Sequence, residues 1–373
     1  MEAIDEIKPH IPQELSQNLQ VITSYLTNKR WYELGESLNQ FLKQPSLNGK
    51  RRIIFDKLIE DNSYYLEAFH YAHLVLLTSE EFADNDFEGK IEFLKRMSES
   101  KPFEQKIDPK NLILLRIVDI MTQKPDCEGA LKLLNDIEKD VTEFTPIEVR
   151  SSFHRTQSNL DKARGDFDAF YQHALLYLST SKVEKDIVLA YDLCMAALLS
   201  NKVCSFGELA AHKILSSLEG GEYQWLKELI LLLDRGEPTT INEFNEKFLP
   251  IINQTAPFSN YLLTIQTKLA LSVFLQVIFS RPFENRTLTF EEVSQACSIN
   301  INQVEILVLK ALSAEIIKGT IDEVEQKIVV TWCKPKALGI DRLQHLKKQI
   351  DEWIAIVHRQ RNELETKAQS FVG

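Results

Sequence analysis

His70 and His73 stand one helical turn apart and could share a metal ion, but no third ligand stands at a familiar spacing. Their neighbours Tyr71, Ala72 and Leu74 fit a packed helix better. Cys194 and Cys204 are too far apart for a Cys-x-x-Cys knuckle. Zinc-hydrolase chemistry would need His-x-Glu or His-Glu-x-x-His, and neither occurs. The Gly-x-Ser-x-Gly elbow that aims a nucleophilic serine is also missing, although a triad built from distant segments stays open on spacing alone. Glu80-Glu81 and Glu291-Glu292 are paired carboxylates only in sequence, and a solvated loop or helix start accounts for them. These residues predict a protein that is not an enzyme and needs no metal or cofactor.

With no chemistry assembled, charge decides what the chain attracts. Its 373 residues carry a net charge of −11, which disfavours general attraction to nucleic acid or an anionic membrane and leaves another protein as the expected partner. The chain is too long for one compact core, so about two or three domains are expected. It is 44% hydrophobic and 26% charged, with only 12 Gly and 12 Pro, which favours an all-helical globular chain with short loops. The cysteines Cys127, Cys194, Cys204, Cys297 and Cys333 are odd in number, scattered and mostly set in apolar helical sequence. That pattern predicts reduced thiols in an intracellular protein. Met1 to Pro12 alternates charge with isolated apolar residues, unlike a signal peptide. Tyr261 to Phe279 is the most apolar long segment, but Gln266, Lys268 and Gln276 interrupt it, so a buried helix is expected and not a membrane span.

From about residue 14 to 280 the chain is a succession of helical patterns with short breakers. Trp31, Leu34, Leu38, Phe41 and Leu42 form one apolar stripe; others run through Arg52 to Ile59, Tyr64 to Leu77, Ile91 to Met97, Leu112 to Met121 and Ala130 to Val141. Val149 to Leu178 reads as a helical hairpin broken at Gly165-Asp166, with Gly supplying the turn and Asp the next cap. Asp234-Arg235-Gly236 marks a second break. Stacked helix pairs predict a solenoid of degenerate, TPR-like repeats, with an irregular helical bundle as the alternative. Trp225 and Phe206 read as packing anchors, since basic neighbours are sparse.

After Arg281-Pro282 the pattern changes. Thr289 with Glu292 forms a capping box that opens a short helix, and Asn302 with Glu305 is read as another. The second helix carries Val304, Leu307, Val308, Ala311 and Leu312 on one face, is expected to continue to Ile317, and stops at Gly319. Thr320–Ile321, a polar turn and the β-branched run Lys327 to Trp332 then predict a hairpin. Helix, helix, hairpin is the order of a winged helix. From Asn302 to Lys327 three lysines face five carboxylates, so this module would repel phosphate.

Beyond Pro335, Leu343, Leu346, Ile350, Trp353, Val357 and Leu364 keep heptad spacing, with Gln360 in the one polar slot. An apolar seam of this kind points to a partner helix; folding back on the chain's own solenoid is the competing expectation.

A helical-repeat solenoid joined to a winged helix and a terminal helix resembles the PCI domain, the scaffold module of the proteasome lid, the COP9 signalosome and translation initiation factor 3. The stretches carrying the resemblance are Phe206-Gly-Glu-Leu209, Asp234-Arg-Gly-Glu237, Leu288-Thr-Phe-Glu-Glu-Val293, Val304 to Leu312 and Lys318 to Val324, supported by Lys29-Arg-Trp31, Tyr171 to Leu178 and Ser179-Thr-Ser181. Together they look like a PCI subunit of the proteasome regulatory-particle lid. The matching division of the chain is helical repeats over 1–178, the helical part of the PCI domain over 179–281, its winged helix over 282–336 and a bundle helix over 337–373.

The resemblance implies a non-catalytic scaffold that supports lid assembly and ubiquitin-dependent degradation in cytoplasm and nucleus, as part of a hetero-oligomer. Its implied partners are other PCI and MPN subunits and a neighbouring ubiquitin receptor. The implied interface is a sheet edge at Ile328 to Trp332, with Ile328, Val330 and Trp332, and the tail seam Leu343, Leu346, Ile350, Trp353, Val357 and Leu364. The alternatives are a scaffold of the signalosome or of initiation factor 3, and a winged-helix nucleic-acid binder.

Overall fold

The computed structural model describes residues 11–12, 15–83, 85–123, 128–183, 185–281, 286–335 and 340–372; Cys127 and most of the N-terminal segment lie outside them. The chain divides into two compact units, Met1–Lys182 and Val183–Gly373. Both are mostly helical.

The first unit stacks helices Ser16–Thr27, Trp31–Leu42, Ala68–Ser79, Phe87–Ser98, Ile107–Thr122, Glu128–Asp140, Ile147–Arg164 and Phe167–Thr180. The apolar stripe of Trp31–Leu42 explains its packing: Leu34, Leu38, Phe41 and Leu42 are buried with Phe55, Tyr71, Leu74 and Phe93. A second cluster gathers Leu115, Val118, Leu134, Phe153 and Leu160. The hairpin forms as its sequence predicts. Gly165 adopts the left-handed conformation (φ 74°) that closes the first helix, and Asp166 Oδ1 accepts from the Ala169 amide (3.1 Å) to cap the second. His173 Nδ1 then meets the buried Asp161 carboxylate at 2.6 Å across the pair.

His70 and His73 do not converge on a shared ligand. His73 Nε2 lies 2.9 Å from Glu148 Oε1, and His70 Nδ1 lies 3.3 Å from Glu67 Oε2. Burial lowers the pKa of His73 and the Glu148 carboxylate opposes that shift. Among the described residues no group of three or more His, Cys, Asp or Glu gathers as a metal site would require.

In the second unit, helices Ile187–Leu199, Gln224–Arg235 and Leu262–Phe279 form the repeat-like part. Asp234-Arg235-Gly236 ends the middle one as expected. Phe206 is buried, and Trp225 meets Phe258 edge to face. Phe258–Phe279 is long and apolar enough to cross a membrane by length and composition alone, yet Ala270, Leu271, Val273, Phe274 and Ile278 are buried in this unit's core. Lys268, 3% exposed, donates from Nζ to the Ala197 carbonyl at 2.5 Å, and the Ser272 hydroxyl donates to the Leu233 carbonyl. Those polar bonds place the helix inside a protein core.

The sheet has three strands, β1 (Thr287–Thr289), β2 (Ile317–Asp322) and β3 (Lys327–Cys333), in the order β1-β3-β2 with both pairings antiparallel. Helices Phe290–Cys297 and Ile301–Ser313 fall between β1 and β2, which completes a winged helix. The second helix ends at Ser313, and Ile317 to Gly319 belong to β2, because Ile317 pairs with Cys333. Asn300, not Asn302, is its N-cap, with no side-chain capping bond. β1 adds a third strand to the expected hairpin.

Candidate assembly interface

The Thr289 box is built as its spacing requires. Thr289 Oγ1 accepts from the Glu292 amide (3.2 Å), and Glu292 Oε2 accepts from the Thr289 amide (2.9 Å). Glu292 Oε1 also accepts from Arg281 Nη2 (2.7 Å), while the other arm of Arg281 donates to the Thr287 carbonyl. First the Thr289 amide and then the Arg281 guanidinium hold the Glu292 carboxyl below its ordinary pKa. One arginine thus ties the end of helix Leu262–Phe279 to the start of the winged helix.

β3 is the central strand, so the expected sheet edge at Ile328 to Trp332 is not an edge. Ile328 and Val330 are 1% and 4% exposed and belong to the core with Leu288, Val293, Val304 and Val308. Strand alternation would turn Trp332 inward as well. It does not, because Lys318 pairs with Trp332 while Gly319 pairs with Val330, leaving Thr331 as an extra residue on β3. That bulge shifts the alternation: Trp332 is 42% exposed and Cys333 is buried instead. Gly319 permits the close approach, since a Cβ there would lie 2.2 Å from the Val329 carbonyl oxygen. Thr331 Oγ1 donates to the Lys318 carbonyl (3.0 Å), and Lys318 Nζ sits 5.4 Å above the Trp332 ring. Burial raises the Cys333 thiol pKa, opposed by Arg286, whose Nη1 reaches the sulfur at 3.3 Å. Among the described strands β1 and β2 each have a single neighbour, β3, so both are edges, and the six-residue β2 offers a longer outer side to another strand than the three-residue β1.

The tail is one helix of 33 residues, Ile340–Val372. Every described side chain along it is exposed, Leu343, Ile350, Trp353, Val357 and Leu364 included, so none of these belongs to the core of its own unit. The Leu346 side chain lies outside the described ones. Ile354 and Ile356 are exposed too and widen the seam beyond its strict heptad positions. A second apolar surface lies on the winged helix, where Leu263, Ala270, Ile299, Ile306 and Leu307 line a groove of about 320 Å³. Its sequence signal was Ile306, an apolar residue left over from the buried face of its helix and 56% exposed.

A cavity beside it, of about 610 Å³, has Lys202, Lys268 and Lys310 on its wall. Lys202 and Lys310 lie near the carbonyl ends of helices Ile187–Leu199 and Ile301–Ser313, and Lys268 donates to one such carbonyl. Cations are expected at those ends without any bound anion.

Helical repeats, a winged helix poor in cations and a terminal helix with exposed apolar side chains are the parts of a PCI-type protein. Residues 245–332 match the PCI domain. Residues 18–230 match the PSD13 N-terminal repeats, so the chain belongs to the PSD13 family. It is 27% identical to 26S proteasome non-ATPase regulatory subunit 13 homolog B of Arabidopsis thaliana, over 96% of each chain. It is 26% identical to 26S proteasome non-ATPase regulatory subunit 13 of Dictyostelium discoideum, over 95% of this chain and 93% of the other. With 26S proteasome regulatory subunit RPN9 of Saccharomyces cerevisiae it shares 28% identity, over 93% and 92% of the two chains.

Proposed function

We propose that this chain is a non-catalytic scaffold subunit of the 26S proteasome, working in the regulatory-particle lid of cytoplasm and nucleus. Its family membership and the names of its full-length relatives support the proteasome assignment. The observation that carries the scaffold role is the exposed seam of the tail helix, which a bundle formed with other PCI and MPN subunits would cover. The winged helix joins its PCI neighbours through the outer side of β2, with Trp332 beside that junction; Ile328 and Val330 act from the core by holding the sheet. The repeats lie near a ubiquitin receptor. The division at 178, 281 and 336 follows these roles, with repeats, PCI helices, winged helix and bundle helix in turn.

Truncation after Lys336 tests the reading. The shortened chain should stay folded and be lost from affinity-purified lid, with quantitative mass spectrometry as the readout. Full co-purification of the truncated chain would overturn the tail's role, and co-purification with signalosome or initiation-factor subunits in place of proteasome subunits would overturn the assignment.

A further inference from the structure

Phe144 is 96% exposed, and its turn holds it there. The Thr142 amide donates to Thr145 Oγ1 (2.9 Å), the Thr145 amide donates to the Thr142 carbonyl (3.2 Å), and Thr145 itself is buried. These bonds fix the backbone of the turn that carries Phe144. Beside it opens a cavity of about 580 Å³ on the first unit, where Phe69 and Ile107 supply apolar wall and Glu67, Asp108 and Asp140 supply carboxylates. Lys106 is the one basic side chain on that wall. Ile107 is more than half exposed, as is Ile147, three residues beyond Phe144. Exposed apolar side chains grouped around a cavity mark an interaction surface.

The charge on this surface selects its occupant. Three carboxylates against one lysine repel phosphate and attract cations, so nucleic acid is disfavoured. From this juxtaposition of an exposed phenyl ring, an open cavity with apolar wall at Phe69 and Ile107, and three carboxylates in the same lining, we infer that the repeats dock a segment of another protein in which lysine or arginine flanks a bulky apolar side chain. The apolar side chain enters beside Phe144 and Ile107, and the flanking cations meet Glu67, Asp108 and Asp140. The inference goes beyond the proposed scaffold role and uses no part of the tail helix, so lid incorporation is a separate readout.

Fluorescence anisotropy on the purified full-length chain tests it, with a labelled peptide repeating Lys-Leu-Arg-Phe and a counterpart carrying Glu at every Lys and Arg. The cationic peptide should bind saturably, and the acidic one at least about ten-fold more weakly. Phe144→Ala and Asp140→Lys should each weaken the cationic peptide by about ten-fold, and because both side chains are exposed, thermal melts should not change. The inference fails if saturable binding is absent, if both variants bind as the parent does, or if the two peptides bind equally. Tighter binding of a labelled single-stranded oligonucleotide at the same surface would also overturn it.

Discussion

Replacing Trp353 with alanine separates a residue needed for assembly from one needed for folding. An aromatic side chain of this size buries roughly 150–250 Å² when fully covered. Trp353 is 68% exposed in the free chain. Roughly 150 Å² therefore remain for a partner to cover, about 4 kcal/mol at ~25 cal/mol/Å². Ordering the side chain at an interface offsets about 0.5–1.5 kcal/mol of that. The net, about 2.5–3.5 kcal/mol, corresponds to roughly 70- to 370-fold weaker association. In the free chain the same change should stay within about 0.5 kcal/mol, because it removes an exposed side chain. The assay is competition: tagged wild-type and Trp353→Ala chains expressed together, with their ratio measured in purified lid and in the unassembled pool. A ratio near unity in the lid would refute the reasoning, as would a large drop in the melting temperature of the free variant.

Gly319→Ala drives a Cβ to 2.2 Å from the Val329 carbonyl and should cost about 1–3 kcal/mol, read as a lower melting temperature; an unchanged melt would contradict the bulge geometry. Glu292 has a folded pKa below its ordinary 4.5, so its stabilisation is present above that value and is lost as pH falls through the folded pKa. Glu292→Gln should therefore lower stability near neutrality and flatten its acid-side decline, as urea melts across pH 7 to 3 would show. Burial pushes the thiols of Cys194 and Cys297 up to about 12, so native alkylation at pH 8 should spare both while half-exposed Cys204 reacts, with peptide mass spectrometry as the check.

Features settled within a few residues were legible from sequence. The Gly165-Asp166 turn and the Thr289–Glu292 box each close through hydrogen bonds spanning three to five residues, and both formed as expected. The heptad seam was legible because its period belongs to the helix alone. Features set by distant pairing were not. Ile317 is apolar and follows a helical run, so nothing local ends the helix before it; pairing with Cys333 does. β1 is three residues long, and its register with β3 is fixed across the intervening helices. Ile328, Val330 and Trp332 share a face in a regular strand, and only the extra residue at Thr331 separates them. Phe144 was missed because a single aromatic in a polar turn has no periodicity to betray its exposure.

Thr289 closes β1 and caps the helix that starts at Phe290, whose amide donates to the Gln326 carbonyl at the foot of β3 (2.9 Å). Opening the first turn of that helix must therefore release the neighbouring strand, and fraying the strand must uncap the helix. Amide hydrogens from Leu288 to Glu292 should share one exchange free energy with their partners around Ile328, a small cooperative foldon inside the larger unit.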